Sequence, residues 1–242
     1  MRRRGERELR PVAITPGYLD FAEGSAYVTW GRTRVLCAAT VAEQVPPFRV
    51  ASGGGWVTAE YGMLPRATEP RQARESLSGK VAGRTYEIQR LIGRSLRAVT
   101  DLKALGPRTV TLDCDVLQAD GGTRSAAVTG AFVALALALE RLRRTGALPF
   151  LPLTDQVTGV SAGLVGGRLL LDLDYEEDSQ AAVDANFVIT GRGELVEVQL
   201  TGEGGPFPGA RLQELAALAQ QGARELARLQ EEALAPWLPL PW

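Results

Sequence analysis

Residues 109–139 read TVTLDCDVLQADGGTRSAAVTGAFVALALAL, and this stretch decides the fold class. Apolar and polar side chains alternate strictly over residues 109–117, which is the pattern of a strand with one buried face. The polar segment 118–124 leaves room only for a tight connection. The apolar run that begins near Ser125 then predicts a buried helix, because it is long and almost free of charge. A half-buried strand joined directly to a buried helix indicates a globular protein that mixes both element types.

The flanking sequence repeats this order of strands followed by a helix. Upstream, the pattern predicts a β-hairpin over 24–42, a short strand over 56–61, a polar loop over 64–83, and a helix with its apolar stripe at Ile88, Leu91, Ile92, Leu96 and Val99. Downstream, it predicts hairpins over 157–174 and 184–200 and a long helix over about 208–234. The tail over 236–242, rich in proline and tryptophan, is expected to pack on a partner or to dangle.

The two strand-rich halves cover about 1–145 and 146–242. Each half is finished by helices, and no linker separates the halves as independent domains. We therefore predict a single α+β domain over residues 1–242 with weak internal duplication.

The chain has no histidine, which is the most informative fact of its composition. Without histidine there can be no Ser-His-Asp or Cys-His nucleophile pair and no histidine-ligated metal. Catalysis must therefore use carboxylates, arginines, backbone amides or a metal held by oxygen ligands. The formal net charge of −1 gives no reason to expect a nucleic-acid partner, although basic residues outnumber acidic ones over 66–108. Taken alone, that local excess is equally consistent with a solvated face.

The sequence also indicates the cellular compartment in which the protein works. Cys37 and Cys114 lie in apolar strand patterns, so we expect buried free thiols rather than a disulfide. The charged N-terminus lacks the apolar core of a secretory signal. No uninterrupted apolar run reaches the ~18–20 residues that a membrane span requires. We therefore expect a cytoplasmic protein with no membrane partner.

Residues 121–125, Gly-Gly-Thr-Arg-Ser, stand where the strand turns into the buried helix. A helix N-terminus presents unpaired N–H groups at the positive end of its dipole, which favours an anion. The glycines allow close approach of the backbone, and Arg124 offers a guanidinium matched to phosphate oxygens. The segment therefore predicts an anion site, with a turn capped by Thr123 or Ser125 as the alternative.

The acidic segment 174–179, Asp-Tyr-Glu-Glu-Asp-Ser, is followed by Asp184 at the start of an apolar strand. Clustered carboxylates raise one another's pKa or recruit a hard cation such as Mg²⁺. For Glu176 and Glu177 a solvated acidic loop is the favoured interpretation. For Asp178 and Asp184 the residues alone leave both alternatives open.

Four stretches together resemble the ribonuclease PH family of phosphorolytic RNA-degrading enzymes. They are WVTAEYGMLPRAT at 56–68, GRTYEIQRLIGR at 83–94, DCDVLQADGGTR at 113–124 and DLDYEEDS at 172–179. The resemblance spans nearly the whole chain. It implies a duplicated βαβα-type fold with mixed sheets and flanking helices. It also implies a homohexamer, built as a trimer of dimers, that removes 3′ nucleotides from tRNA precursors as nucleoside diphosphates in a reversible transfer to inorganic phosphate.

The resemblance assigns roles to individual residues. Asp178 and Asp184 would be the catalytic carboxylates and would act through Mg²⁺, with inorganic phosphate as co-substrate. Phosphate would be bound by Arg84, Gly122, Thr123, Arg124 and Ser125. RNA would be bound by Arg66, Arg71, Arg74 and Arg90.

The chain departs from the family at three points. Its N-terminus lacks the aspartate of an Arg-x-Asp-Gly-Arg-like opening, Leu200 stands where the family generally has glycine, and Ser125 stands where threonine is common. Two other functions therefore remain as alternatives. A non-catalytic RNA-binding ring subunit would have lost the phosphate arginine or the paired aspartates, and both are present here. A phosphate- or nucleotide-binding enzyme unrelated to RNA would not depend on a free RNA 3′ end.

Overall fold

A computed structural model describes residues 2, 4–75, 79 and 81–242 of the chain. Its strands are β1 Val12–Pro16, β2 Gly24–Trp30, β3 Thr33–Ala42, β4 Trp56–Met63, β5 Thr109–Gln118, β6 Val157–Val165, β7 Arg168–Leu171, β8 Val183–Thr190 and β9 Leu195–Thr201. Its helices are α1 Pro47–Val50, α2 Gly83–Ala98, α3 Leu102–Leu105, α4 Thr123–Arg144, α5 Tyr175–Asp178 and α6 Ala210–Leu234. The elements confirm the α+β class.

In the described part of the chain, the first half forms a five-stranded mixed sheet in the order β1-β2-β3-β5-β4. Only β4 and β5 run parallel, and α2 lies on the connection between them, as a parallel pair requires. The predicted hairpin and the strands near 56 and 109 are confirmed. Strand β1 was not predicted, because its five residues alternate between exposed and half-buried positions and none is fully buried.

The second half forms an antiparallel sheet in the order β7-β6-β8-β9, and both predicted hairpins are confirmed. Gly166 and Gly167 have φ values of +56° and +78°, which suits the tight turn between β6 and β7. The return strand ends at Leu171 instead of continuing to residue 174 as predicted. Asp172 adopts a φ of +57°, and this left-handed conformation breaks the extended backbone.

Helix α4 joins the two halves into one core, because it packs on β2, β3 and β5 of the first sheet and on β6 of the second. Gly130 allows the close approach to the first sheet, since a Cβ there would lie 2.5 Å from Val28 Cγ2. Among the described residues, α4 is also the one helix long and apolar enough to cross a membrane, and 89% of its most apolar window is buried inside the protein. That burial identifies it as a core helix.

The remaining helices and the tail close the outside of the core. Helix α2 packs on β4, and α6 packs on β6. Trp237 lies directly against Gly17 and Leu238 is buried, so the tail packs on its own chain and the expectation that it dangles is wrong. That it packs on a partner stays a prediction. Cys37 and Cys114 face each other across β3 and β5 as buried free thiols, as predicted.

Candidate active site

A cleft of about 880 Å³ opens between the two halves of the molecule. Its walls come from the end of β4, the turn before α4, the segment from Leu173 to Asp184 and strands β8 and β9. The predicted site residues that line it are Arg84, Gly122, Thr123, Arg124, Asp178 and Asp184. The fold thus brings the predicted anion site and the predicted carboxylate pair to one place.

The turn before α4 is held in shape by glycine. Gly121 and Gly122 have φ values of +74° and +66°, which other residues rarely adopt. A Cβ on Gly121 would lie 2.6 Å from the carbonyl oxygen of Leu173, so the turn packs backbone to backbone against the acidic segment. Helix α4 begins at Thr123 without a side-chain cap. The alternative of a capped structural turn is therefore not what forms, and the first N–H groups of α4 are left for an anion.

Thr123 is buried and held by a tyrosine that the sequence did not single out. The Tyr61 hydroxyl donates to Thr123 Oγ1 at 2.8 Å. Burial raises the pKa of Tyr61, so the phenol stays protonated and remains the donor. The Thr123 hydroxyl therefore keeps its own proton available for an acceptor in the cleft.

Arg124 is held from the opposite wall by Gln199 on β9. The Arg124 guanidinium donates to Gln199 Oε1 and forms a longer ion pair with Glu87 at 3.5 Å. Gln199 is oriented in turn by Glu197, whose carboxylate accepts from its Nε2 at 3.1 Å. The Nε and Nη2 of Arg94 donate to the Glu197 carboxylate at 2.6–2.9 Å. This arginine of α2 therefore has a structural role, because it joins the first half of the molecule to β9 in the second.

The two aspartates interact directly. Burial raises the pKa of Asp184 to about 6, and the negative charge of Asp178 adds to the shift, while Arg124 opposes it. Asn186 Nδ2 donates to Asp184 Oδ2 at 3.1 Å, which fixes that carboxylate toward the cleft. Two adjacent carboxylates that repel each other in a partly buried cleft offer the hard oxygen ligands that Mg²⁺ prefers. Within the described residues no cluster of three or more candidate ligands forms, so an ion bound here would keep several waters.

Glu177 contradicts the interpretation of a solvated acidic loop. It is buried, and Arg2 Nη1 donates to both of its carboxylate oxygens at 3.0 Å while Arg4 Nη2 donates to one of them at 3.0 Å. It also completes a capping box with Asp174 at the start of α5. The basic N-terminus therefore packs on the acidic segment and neutralises it. Glu176 is exposed, as expected.

The remaining predicted residues lie away from the cleft lining. Ser125 is buried behind the turn, where a Cβ on Gly159 would lie 2.7 Å from its Cα. The predicted RNA-binding residues Arg66, Arg71, Arg74 and Arg90 are exposed and do not line the cleft. Their role in RNA binding stays a prediction. Arg84 is also exposed, but at the rim of the cleft.

Comparison with known proteins gives the same grouping of segments. Residues 8–139 match the model of domain 1 of the 3′ exoribonuclease family, and residues 155–222 match the model of domain 2. The chain is 58% identical over 231 residues to a ribonuclease PH from Moorella thermoacetica, which covers 96% of this chain and 92% of that protein.

Two solved structures have a similar fold at low sequence identity. The crystal structure of Rrp46 from rice (Oryza sativa) aligns with a TM-score of 0.77 at 18% identity and covers 96% of this chain and 98% of that chain. An Archaeoglobus fulgidus exosome with RNA bound to its active site aligns with a TM-score of 0.78 at 24% identity and covers 93% of this chain and 90% of that chain.

Proposed function

The chain belongs to the 3′ exoribonuclease family and is a phosphorolytic 3′→5′ exoribonuclease of the ribonuclease PH type, and on that premise we propose that the cleft around Arg124 and Asp184 is its active site. The observation that carries this proposal is the meeting of an uncapped helix N-terminus, an oriented arginine and a carboxylate pair in one cleft. Phosphoryl transfer needs positioning and charge neutralisation more than it needs a covalent nucleophile. A chain without histidine can supply both.

Inorganic phosphate fits at the N-terminus of α4. The first N–H groups of the helix, the Thr123 hydroxyl and the Arg124 guanidinium all offer donors to its oxygens. Gly122 contributes by its missing side chain, since the turn brings backbone to the anion. Ser125 would take part through its backbone N–H, because its side chain is buried behind the turn. Arg84 at the rim would contact phosphate or the RNA end.

In the reaction, a phosphate oxygen attacks the phosphorus of the last internucleotide linkage. One P–O bond forms, the bond from phosphorus to the 3′ oxygen of the preceding nucleotide breaks, and that oxygen takes up a proton as the new RNA 3′ end. The product is a nucleoside diphosphate, and the equal number of bonds made and broken keeps the reaction reversible. Asp178 and Asp184 would hold Mg²⁺, which would supply neutralising charge for the phosphoryl oxygens.

The RNA would leave the cleft along a basic surface. The exposed arginines Arg66, Arg71, Arg74 and Arg90 are proposed to contact phosphates of the RNA body, where cations add affinity without sequence preference. We further propose that the cellular substrates are tRNA precursors, that the chain assembles as a homohexamer arranged as a trimer of dimers, and that it works in the cytoplasm. Mass determination in solution tests the assembly, and a monomer would overturn it.

The first experiment follows the products. Purified protein with Mg²⁺ is incubated with an RNA carrying a short 3′ extension, with and without inorganic phosphate, beside Arg124→Ala and Asp184→Ala. We expect the unmodified protein to release nucleoside diphosphates only when phosphate is present. We expect both variants to lose this release. Arg141→Ala is the matched control, since Arg141 lies on the same helix about 25 Å from Arg124 at ~1.5 Å per residue.

The alternative outcomes are distinct. Nucleoside monophosphates released without phosphate would mean hydrolysis, and the phosphate site at Thr123 and Arg124 would be wrong. Bound RNA with no product would favour a non-catalytic ring subunit. A precursor tRNA degraded no faster than an unstructured RNA with the same 3′ sequence would refute the proposed substrate class.

A further inference from the structure

Asp172 stands out because it is a buried carboxylate in a strained conformation next to the cleft. Asp172 is 1% exposed. Among the described residues it is the only non-glycine residue whose backbone is left-handed, with a φ of +57°. Its carboxylate accepts from the backbone N, the Nε and the Nη2 of Arg10 at 2.6, 3.0 and 2.6 Å and from Trp30 Nε1 at 2.9 Å. Such strain persists only where the surroundings over-determine it.

Arg10 connects this carboxylate to the phosphate turn. Its Nη1 donates to the carbonyl oxygen of Asp120, and its Nη2 donates to that of Gly121 at 3.4 Å. Thr33 Oγ1 donates to the Gly121 carbonyl as well, at 2.8 Å. A Cβ on Gly122 would lie 2.9 Å from Arg10 Nη2, so the guanidinium packs directly beneath the turn.

The Arg10–Asp172 pair contacts the chain just before the phosphate-binding residues and just before the acidic segment. Gly121 comes just before the phosphate-binding residues Gly122 to Arg124, and Asp172 comes just before the segment that carries Asp178. Neither Arg10 nor Asp172 lines the cleft. The pair can therefore affect the reaction only by fixing where the turn and the acidic segment lie relative to each other.

Stability alone is a poor reason for this arrangement. Removing two charges from water costs free energy that a buried ion pair often does not recover, and an apolar pair of similar size can be as stable. Here the chain also accepts a strained φ at Asp172. Both costs fall where the phosphate turn meets the segment that leads to Asp178.

We propose that Arg10 and Asp172, assisted by Trp30, are positioning residues that set the spacing between the phosphate turn and the acidic segment. The proposal rests on the roles given above to Arg124 and Asp184. It identifies the ion pair as a determinant of phosphate binding and turnover, although it contacts neither substrate.

The test separates kcat from the KM for phosphate at saturating RNA. Asp172→Asn keeps the shape and removes the charge that holds both Arg10 and Trp30. We expect its KM for phosphate to rise about 10-fold and its kcat to fall by a similar factor, as is usual for residues that orient a reacting group. Arg10→Lys keeps the positive charge but loses the planar fork of the guanidinium. We therefore expect a smaller fall in kcat than in Asp172→Asn, with a KM for phosphate that is still raised.

The matched control is Glu140→Gln. Glu140 is likewise a buried carboxylate held by arginines, Arg143 and Arg144, but it lies on α4 far from the cleft. We expect it to lose thermal stability while its kcat and KM at the assay temperature stay within about twofold of those of the unmodified protein. Asp184→Ala is measured in parallel, and full activity in that variant would refute the proposed active site independently of the ion pair.

Two results would overturn the positioning role. One is a folded Asp172→Asn protein whose kcat and KM for phosphate are unchanged. The other is an equal loss in Glu140→Gln, because that would reduce the effect to general stability. If Asp172→Asn does not fold, Trp30→Phe carries the test. This change removes the indole donor together with part of a fully buried ring, so its thermal stability is compared with that of Glu140→Gln. We expect a KM for phosphate raised about threefold. An unchanged KM would overturn the proposal.

Discussion

Replacement of Asp184 by asparagine is expected to stabilise the protein at neutral pH while it abolishes activity. In the folded protein the Asp184 carboxyl has a pKa of about 6, against an ordinary value of 3.8. The folded state therefore binds more protons than the unfolded chain between these two pH values. Stability consequently falls as pH rises through that window and stays lower above it. Asparagine is uncharged at every pH, so the variant escapes this loss.

The size of the effect follows from the same shift. A pKa raised from 3.8 to about 6 corresponds to about 3 kcal/mol of folding free energy at ~1.4 kcal/mol per unit. Residual solvent at the cleft screens the interaction, so we expect a gain of about 1–3 kcal/mol for Asp184→Asn at pH 7.5. Near pH 4.5 most of the difference should vanish. The amide keeps an acceptor for Asn186 and gains a donor toward Asp178, so little packing is lost.

Urea unfolding of both proteins across pH 4.5–8 measures this difference. Glu140→Gln serves as a control of opposite sign, because hydrogen bonds from Arg143 hold the pKa of Glu140 below its usual value. Its carboxylate stabilises the fold above the ordinary pKa and less as pH falls, so that variant should be weakened most at neutral pH. Two results would refute the reasoning. One is an Asp184→Asn protein that is less stable than the unmodified protein at pH 7.5, and the other is a difference in unfolding free energy that is the same at every pH. Added Mg²⁺ should narrow the gap by stabilising only the protein with both carboxylates.

Three further substitutions test the geometry of the cleft. Gly121→Ala should cost about 1–3 kcal/mol in urea unfolding, because the site has a positive φ and no room for a Cβ; a neutral effect would contradict the backbone contact. Gln199→Leu should raise the KM for phosphate about 5-fold with unchanged thermal stability, because Arg124 loses its acceptor. Tyr61→Phe should lower the free energy of unfolding by about 1 kcal/mol and raise the KM for phosphate, because Thr123 loses its donor; unchanged phosphate kinetics would separate Thr123 from phosphate binding.

The elements that could be predicted from the sequence are those whose own residues determine them. The strand β5 and the helix α4 follow from periodicity and apolar length, and the hairpin turns follow from glycine pairs such as Gly166-Gly167. Strand β1 escaped prediction because an edge strand with no fully buried residue carries little hydrophobic signal. The return strand was extended too far because a left-handed aspartate at 172 has no pattern in the sequence.

The candidate site divides along the same line. Thr123 and Arg124 were predicted from local chemistry and from the resemblance, whereas Asp178 and Asp184 received a role only from the resemblance. Gln199 was missed because a lone glutamine on a strand has no distinguishing feature until β9 places it opposite Arg124. The nearest signal in the sequence lay at Leu200, where the chain departs from the glycine that the family generally has.

The error at Glu177 has the same origin and points to what organises the cleft. Charge counting within the segment 174–179 predicts repulsion and solvation, yet the neutralising partners Arg2 and Arg4 lie more than 170 positions away in the chain. Arg10 reaches across a similar separation to Asp172. The acidic segment is thus held by the N-terminus of the other half, and its carboxylates divide into those neutralised by protein and those left to the cleft. Because Glu177 and Asp172 are satisfied internally, they are not available to a ligand, whereas Asp178 and Asp184 line the cleft and can meet a cation or a substrate.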